Sequence, residues 1–398
     1  MSKRCLSEEN PMRRINFAMI GHGFMGKAHS YALLATPFFF KTGFEPVRKV
    51  IVGRNAEKAK QAAESFGWEE YSTDWREVVR RPDIDAVAIV TPPNTHAAIA
   101  IAAADAGKHI FCEKPFTITL DEARQTVKAV QRSGVKHMLG FNYRRVPALG
   151  LAKQLVQSGR LGRIYHFRAV YLQDWIMDPL FPRIWKLTRA IGGSGSHHEL
   201  NAHIIDLALY LVGKIDRLVG VEETFIKERP SVADSDKLST MLTAESSLSE
   251  MEQVDVDDTT AFLTRFECGA MGTFESTRFA AGRRNHNRVE VNGSKGSVYF
   301  DLEFMNRLQY YNADDPDDVP GFRSIQVNEG CHPYIDHWWP PGHAIGYENT
   351  FVNQYADFLQ AIAEDTIPEP GFEVGLENQK VLEAVTKSIA EDRWVDID

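Results

Sequence analysis

Residues 15–26 read INFAMIGHGFMG, and this stretch decides the fold. Ile15, Phe17, Met19 and Ile20 make a short apolar run suited to a buried strand. Gly21, Gly23 and Gly26 follow at G-x-G-x-x-G spacing, with Phe24 and Met25 inside the loop, and 27–35 is helix-compatible. Each glycine has its own use: Gly21 permits a tight turn, Gly23 lets the backbone approach a pyrophosphate, and Gly26 lets helix and strand close together. The helix N-terminus then turns unpaired amides toward an anion. Glycines at this spacing also arise by chance in structural turns. Between a strand and a helix they predict a dinucleotide site.

Outward from this stretch, the first 145 residues keep alternating between strand and helix patterns. Residues 47–52 read as a second strand, 55–66 as an amphipathic helix stopped by Gly67, and 74–80 as a short capped helix. Residues 85–90 are a buried strand that runs into Thr91-Pro92-Pro93-Asn94, where the prolines force a loop. An alanine-rich helix (96–106) and a strand (109–112) lead into Glu113-Lys114-Pro115. A helix at 120–132 and a strand at 136–141 follow. Such units predict an α/β domain with a doubly wound parallel sheet and a ligand crevice beyond its strand C-termini. We assign 13–145 to this dinucleotide-binding domain and 146–398 to substrate binding and oligomerisation.

After Pro147 the pattern changes. Residues 149–158 read as a helix and 164–173 as a strand with one exposed face, while the acidic, serine-rich 231–252 reads as a mobile loop. Strand runs at 261–266, 270–275, 288–291 and 297–301, with no helices between them, predict a mainly antiparallel sheet. Helices at about 349–362 and 375–390 close the chain.

The length of 398 residues allows two cores, and the net charge of −9 argues against non-specific nucleic-acid binding. No apolar run approaches the roughly 18 residues of a membrane span. The opening MSKRCLSEENPMRR has no apolar segment behind its basic residues, so no secretory signal is expected. Cys5, Cys112, Cys268 and Cys331 are scattered, which suits free thiols in a reducing cytoplasm.

Loops 21–26, 91–96, 113–115 and 142–145 should overhang the crevice. Gly21, Gly23, Phe24, Met25, Gly26, Thr91, Pro92, Asn94, His96, Glu113, Lys114 and Asn142 are therefore candidate cofactor residues. The second strand ends Val52-Gly53-Arg54-Asn55, without the acid that would bind ribose hydroxyls. Arg54 then either holds the 2′-phosphate of NADP or stacks on adenine and leaves NAD acceptable. Lys114 follows a strand directly and precedes a proline. There an ammonium can hydrogen-bond a substrate oxygen whose charge rises during hydride transfer. The bland alternative is a surface lysine in a turn.

A second cluster, 192–206, reads GGSGSHHELNAHIID and enters a helix stopped by Gly213. On α-helical spacing Glu199 and His203 are i,i+4 and share a face. An alcohol oxidised by a nicotinamide loses a proton as its hydride leaves. A histidine can accept that proton, oriented by a carboxylate from Glu199 or Asp206. A solvated polar helix face would read the same way. His197, His198, Glu199 and His203 also invite a metal reading, but H-E-x-x-H spacing is absent and no metal is expected. Trp338 and Trp339, among His332, His337 and His343, either stack on a sugar or pack at a subunit contact.

Together AMIGHGFMGKAH, VTPPNTHAAIAIAAADAGKHIFCEKP, GFNYRRVPA, the GG…H-x-x-D segment and VNGSKGSVYFD resemble the glucose–fructose oxidoreductase / inositol dehydrogenase (Gfo/Idh/MocA) family over nearly the whole chain. YRRVPA, YLQDW and WWPPGHAIGYE look closest to its levoglucosan and inositol dehydrogenase-like branch. The resemblance implies a Rossmann domain and an open antiparallel sheet that commonly forms dimers or tetramers. It also implies NAD(P)-dependent oxidation of a sugar, glycoside or cyclitol hydroxyl, at C3 in several relatives. Lys114 takes the family's lysine position, Glu199 its aspartate and His203 its histidine. Relatives with a Gly-Arg pair after the second strand can use NAD, which places NAD ahead of NADP.

Where the family has Gly-Asp-Ile-Gly, this chain has His198-Glu199-Leu200-Asn201, so a reshaped pocket and a glycoside with a bulky aglycone are expected. Tyr143, Arg144, Asp174, Trp175 and His198, with Lys114 and His203, are the candidate substrate residues. Two other readings fit the same motifs: NAD-dependent glycoside cleavage with a recycled hydride, and a non-catalytic dinucleotide sensor.

Overall fold

A computed structural model describes residues 13–232 and 246–397. The reading of the first twelve residues as lacking a leader, the thiol of Cys5 and the centre of the expected 231–252 loop lie outside these residues. β1 (Arg13–Ile20) runs through the glycine loop into α1 (Phe24–Phe39). Then come β2 (Phe44–Val52), α2 (Ala56–Phe66), β3 (Glu70–Ser72), α3 (Trp75–Arg80), β4 (Ala86–Ile89), α4 (His96–Asp105), β5 (His109–Cys112), α5 (Leu120–Ser133) and β6 (His137–Leu139). These six strands form one parallel sheet in the order β3-β2-β1-β4-β5-β6. Ala18, Val50, Val87 and Ile110 are wholly buried, because helices cover both faces of the sheet. The strand order reverses between β1 and β4, so the loops after β1, β4, β5 and β6 share one crevice.

The rest of the chain comprises α6 (Pro147–Gln157), β7 (Ile164–Leu172), α7 (Arg189–Gly192), α8 (Ala202–Leu211), β8 (Ile215–Glu223), β9 (Glu228–Val232), β10 (Ser246–Gln253), β11 (Thr259–Phe266), β12 (Met271–Thr277), β13 (His286–Gly293), β14 (Gly296–Asp301), β15 (Arg307–Asn312), β16 (Arg323–Gln326), α9 (Tyr347–Ala363), α10 (Phe372–Glu391) and β17 (Val395–Asp396). Nine of these strands make a second sheet, β16-β15-β14-β13-β7-β12-β11-β8-β17. It is mainly antiparallel, as expected, with β7 and β12 parallel.

The expected loop at 231–252 is corrected at both ends, where β9 and β10 pair as an antiparallel hairpin. Its anchor is polar, which apolar periodicity does not register. The fully buried Arg229 donates to the carbonyls of Ile176 (2.6 Å) and Asp178 (2.8 Å), and Arg183 pairs with Glu252.

α9 returns from the far end of the chain to cover one face of the first sheet. Phe351, Tyr355, Phe358 and Leu359 pack with Ile15, Phe17, Ala88 and Phe111 in one core. Tyr355 stacks on Phe111 with centroids 4.8 Å apart, a contact that contributes about 0.5–1.5 kcal/mol beyond burial. Trp338 packs on Phe39 and donates to Asn353, so it is spent inside this chain. Trp339 lies beside Phe39, half exposed. Among the described residues no helix is long and apolar enough to cross a membrane, and Cys112, Cys268 and Cys331 are unpaired.

His96, His197 and His198 are buried, and burial is the main cause that lowers the pKa of each, that of His198 to about 3. The unfolded chain takes up these protons near pH 6.5 and the folded chain does not. Stability should therefore be level above 6.5 and fall as pH drops below it, with His198 contributing up to about 1.4 kcal/mol per unit down to about 3. Urea midpoints that stay flat from pH 7 to 4 would contradict this.

Candidate active site

The glycine loop has the geometry its spacing implies. Gly21 sits at φ +112°, where a Cβ would lie 3.0 Å from Val90. A Cβ on Gly26 would lie 2.8 Å from the Gly21 carbonyl oxygen, so strand and helix meet there only through glycine. α1 starts without a side-chain cap and without an acid in its first turn, which leaves its amides for an anionic ligand. Phe24 is exposed and Met25 partly buried at the loop tip. After β2, a Cβ on Gly53 would fall 2.2 Å from the His22 ring, so Gly53 makes room for His22. Arg54 is exposed, and Asn55 caps α2 by accepting from the Lys58 amide at 3.0 Å.

Two residues expected at the cofactor brace its loops instead. The His96 ring bridges the carbonyls of Thr91 (2.8 Å) and Pro115 (3.0 Å) and so ties the β4 loop to the β5 loop. Glu113 is 4% exposed. One carboxylate oxygen accepts from the Lys114 amide (3.1 Å), and the other meets His29 Nε2 (2.8 Å), whose Nδ1 meets the Tyr355 hydroxyl (2.9 Å). Thr91 bonds Thr95 across the β4 loop, Pro92 and the exposed Asn94 stand beside it, and Asn142 donates to Thr350 at 3.0 Å.

Lys114 Nζ donates to the main-chain carbonyl of Glu199 at 3.1 Å. Burial lowers its pKa, and Lys186 adds to that against the opposing pull of Glu199 and Glu113. His203 is 6% exposed, with its ring 4.6 Å from that of Tyr143. Burial first, and Lys114 second, push its pKa well below the usual histidine range. Its ring nitrogens make no hydrogen bond among the described residues. The site thus pairs a partly buried ammonium with a neutral imidazole free to accept a proton. Tyr143 hydrogen-bonds Tyr171 (2.8 Å), which donates to Asn285 (2.7 Å). Asn285 also lines a recess of about 240 Å³ with Arg284, Leu302, Glu303, Met305 and Tyr347.

Family models match both halves of the chain. The oxidoreductase family with an NAD-binding Rossmann fold matches residues 15–141, and the GFO/IDH/MocA C-terminal domain matches 150–299. Levoglucosan dehydrogenase of Pseudarthrobacter phenanthrenivorans is 43% identical, with 97% of this chain and 99% of that protein covered. The chain belongs to the Gfo/Idh/MocA family. A solved levoglucosan dehydrogenase complex with NADH and levoglucosan superposes with a TM-score of 0.91 at 42% identity, covering 97% of this chain and all of the other. The scyllo-inositol 2-dehydrogenase (NAD(+)) of Bacillus subtilis is 30% identical over 72% of this chain and 73% of that protein.

In this family member the segment before His203 departs from the expected α-helix. Residues His197–Asn201 form a π turn, a wider turn than the i,i+4 spacing assumes. Glu199 does not face His203: one carboxylate oxygen pairs with Lys186 and the other lies 3.5 Å from Arg278. Burial works to raise the Glu199 pKa, but Lys186, Arg278 and Lys114 outweigh it and keep the group ionised. The orienting role expected for this carboxylate is therefore corrected. Asp206 does not replace it, because it forms a two-pronged buried pair with Arg144 (2.7 and 2.8 Å).

That pair removes Arg144 from direct substrate contact, a second correction. His198 is spent on Ser194 (2.6 Å) and packs against Gly193, a third. The buried Asn201 amide bonds His197, whose other nitrogen meets the Leu382 carbonyl. Asp174 accepts from Gly282 and Arg284 and so supports their loop. Trp175 borders Lys186 and Arg278, 5.7 and 5.9 Å from its ring.

The π turn is anchored by Asp257, which no motif marks. Its carboxylate accepts from the Gly195 amide (2.6 Å), the Ser196 hydroxyl (2.5 Å) and the His197 amide (2.9 Å). A Cβ on Gly195 would lie 1.7 Å from the Asp257 carbonyl oxygen. Gly195→Ala should cost about 1–3 kcal/mol and lower turnover by displacing Glu199. A melting temperature and activity equal to wild type would refute that.

Proposed function

We propose that this protein oxidises a ring hydroxyl, at C3, of a sugar, glycoside or cyclitol with NAD. His203 acts as the base and Lys114 as the electrostatic partner of the reacting oxygen. One observation carries the reading: the Lys114 ammonium stands near an imidazole that burial and this same charge keep unprotonated. Bound NAD supplies the acceptor for the electron pair leaving the carbon. Gly21–Gly26, with Phe24 and Met25, and the first amides of α1 would hold its pyrophosphate, and Thr91, Pro92, Asn94 and Asn142 its nicotinamide half. Arg54 would lie against the adenosine. The NADH complexes of levoglucosan dehydrogenase support NAD over NADP.

His203 takes the hydroxyl proton while Lys114 hydrogen-bonds the oxygen as its negative charge grows. Tyr143 and Trp175 stand beside the substrate, and the recess lined by Asn285 and Tyr347 supports room for an aglycone or second ring. Arg144, Asp174 and His198 support the pocket wall from behind. The outer face of the large sheet exposes Val221, Leu263 and Met271, which supports assembly as a dimer or tetramer.

The test is absorbance near 340 nm with levoglucosan, glucose, myo-inositol and an aryl glucoside, each with NAD and with NADP. The expected result is a substrate-dependent rise with NAD and a 3-keto product by NMR. Glycoside cleavage without net NADH would replace this reading with the hydride-recycling one. No change with any pair would overturn it.

A further inference from the structure

Glu199 is held at two points by two different lysines. Lys186, in the single turn Trp185–Leu187, pairs with its carboxylate. Lys114 takes its main-chain carbonyl at 3.1 Å. Lys186 is steadied by Trp175 and Trp185, 5.7 and 5.6 Å from their rings. Arg278, fully buried, lies 3.5 Å from the other Glu199 oxygen and donates to the Asp257 carbonyl at 2.8 Å. The carboxylate is therefore held by Lys186 and Arg278, while the main-chain carbonyl of the same residue receives Lys114.

We propose that Lys186 is a positioning residue for the reaction: it holds Glu199, and with it the carbonyl that receives Lys114, and sets a second positive charge near that ammonium. The inference rests on reading Lys114 as the group that faces the reacting oxygen, and it deepens that reading. The charged and titratable groups facing Lys114 are Glu199, Lys186, Glu113 and His203. Two carboxylates favour the ammonium, while burial and Lys186 oppose it. Without Lys186 the balance tips toward the carboxylates, and Lys114 keeps its proton to higher pH. A proton held that firmly is shared less readily with a developing alkoxide.

The experiment measures the reactivity of the Lys114 amine itself, by competitive labelling with acetic anhydride over a pH series and peptide mass spectrometry, on the full chain without substrate. In Lys186→Met the labelling midpoint of Lys114 should rise by on the order of one pH unit, and Lys186→Arg should restore it. The alkaline limb of NADH formation should move the same way. Lys186→Gln keeps a hydrogen-bond donor to Glu199 without the charge, and it carries the same expectation if the methionine variant fails to fold. A Lys114 midpoint unchanged in folded Lys186→Met or Lys186→Gln overturns the proposal, whatever sugars the enzyme oxidises. A shifted midpoint in a protein that oxidises no sugar supports the coupling and overturns only the assigned reaction.

Discussion

Lys114→Met should lower kcat for sugar oxidation by about 10²–10³-fold while NADH affinity changes only a few-fold. Methionine fills nearly the same buried volume, so the variant tests charge rather than packing. It removes the donor to the Glu199 carbonyl and the only ammonium bonded at that point of the crevice among the described residues. Loss of one preorganised donor at a developing oxyanion costs that much in other enzymes. The measurement is steady-state kinetics beside NADH fluorescence titration. A variant that keeps a tenth of wild-type turnover would remove Lys114 from the chemistry and leave it as a loop brace.

His203→Gln should cost more, about 10²–10⁴-fold in kcat/KM, because an amide cannot accept the proton that leaves the hydroxyl. The pH profile separates this from a packing defect. Burial and Lys114 hold the imidazole pKa well below 6.5, and a base at this position works only as the neutral ring. Activity should thus persist through pH 6, fall only as pH drops through the lowered pKa, and show no such acid limb in His203→Gln. In Lys114→Met the nearby positive charge is gone, so the residual acid limb should move to higher pH. An acid limb unmoved in Lys114→Met, or still present in His203→Gln, would assign the proton to another group.

Much of the fold was legible because its signals are local. Gly21 and Gly26 sit where no other residue fits, and the apolar strands of the first sheet read as continuous runs because both faces are covered. The hairpin of β9 and β10 was not legible, since Arg229 and not an apolar stripe holds it. In the site, Lys114 and His203 were marked by position, and the structure brings them together.

Glu199 was misread because face-sharing at i,i+4 assumes an α-helix, and sequence gives no sign of the π turn that Asp257 anchors. Arg144, His96 and Glu113 have the residue types of binding groups, yet each is spent on a partner distant in sequence: Asp206, Pro115 and His29. Lys186 and Arg278 could have been suspected only as cations near a glutamate longer than the family's aspartate.

The return of α9 to the first sheet has a consequence for biosynthesis. A ribosome that has delivered the glycine loop, all six parallel strands and Lys114 has still not made Phe351, Tyr355 or Phe358, which shield Phe17 and Phe111. The nascent nucleotide-binding half leaves the exit tunnel with part of one oily face bare beside α1, and it waits for some two hundred further residues before that part is covered. Chaperone capture during translation and insolubility of fragments ended near residue 145 are the natural outcomes. Linkers or tags inserted between the halves would lengthen that wait, whereas a fusion at the start of the chain would leave it unchanged.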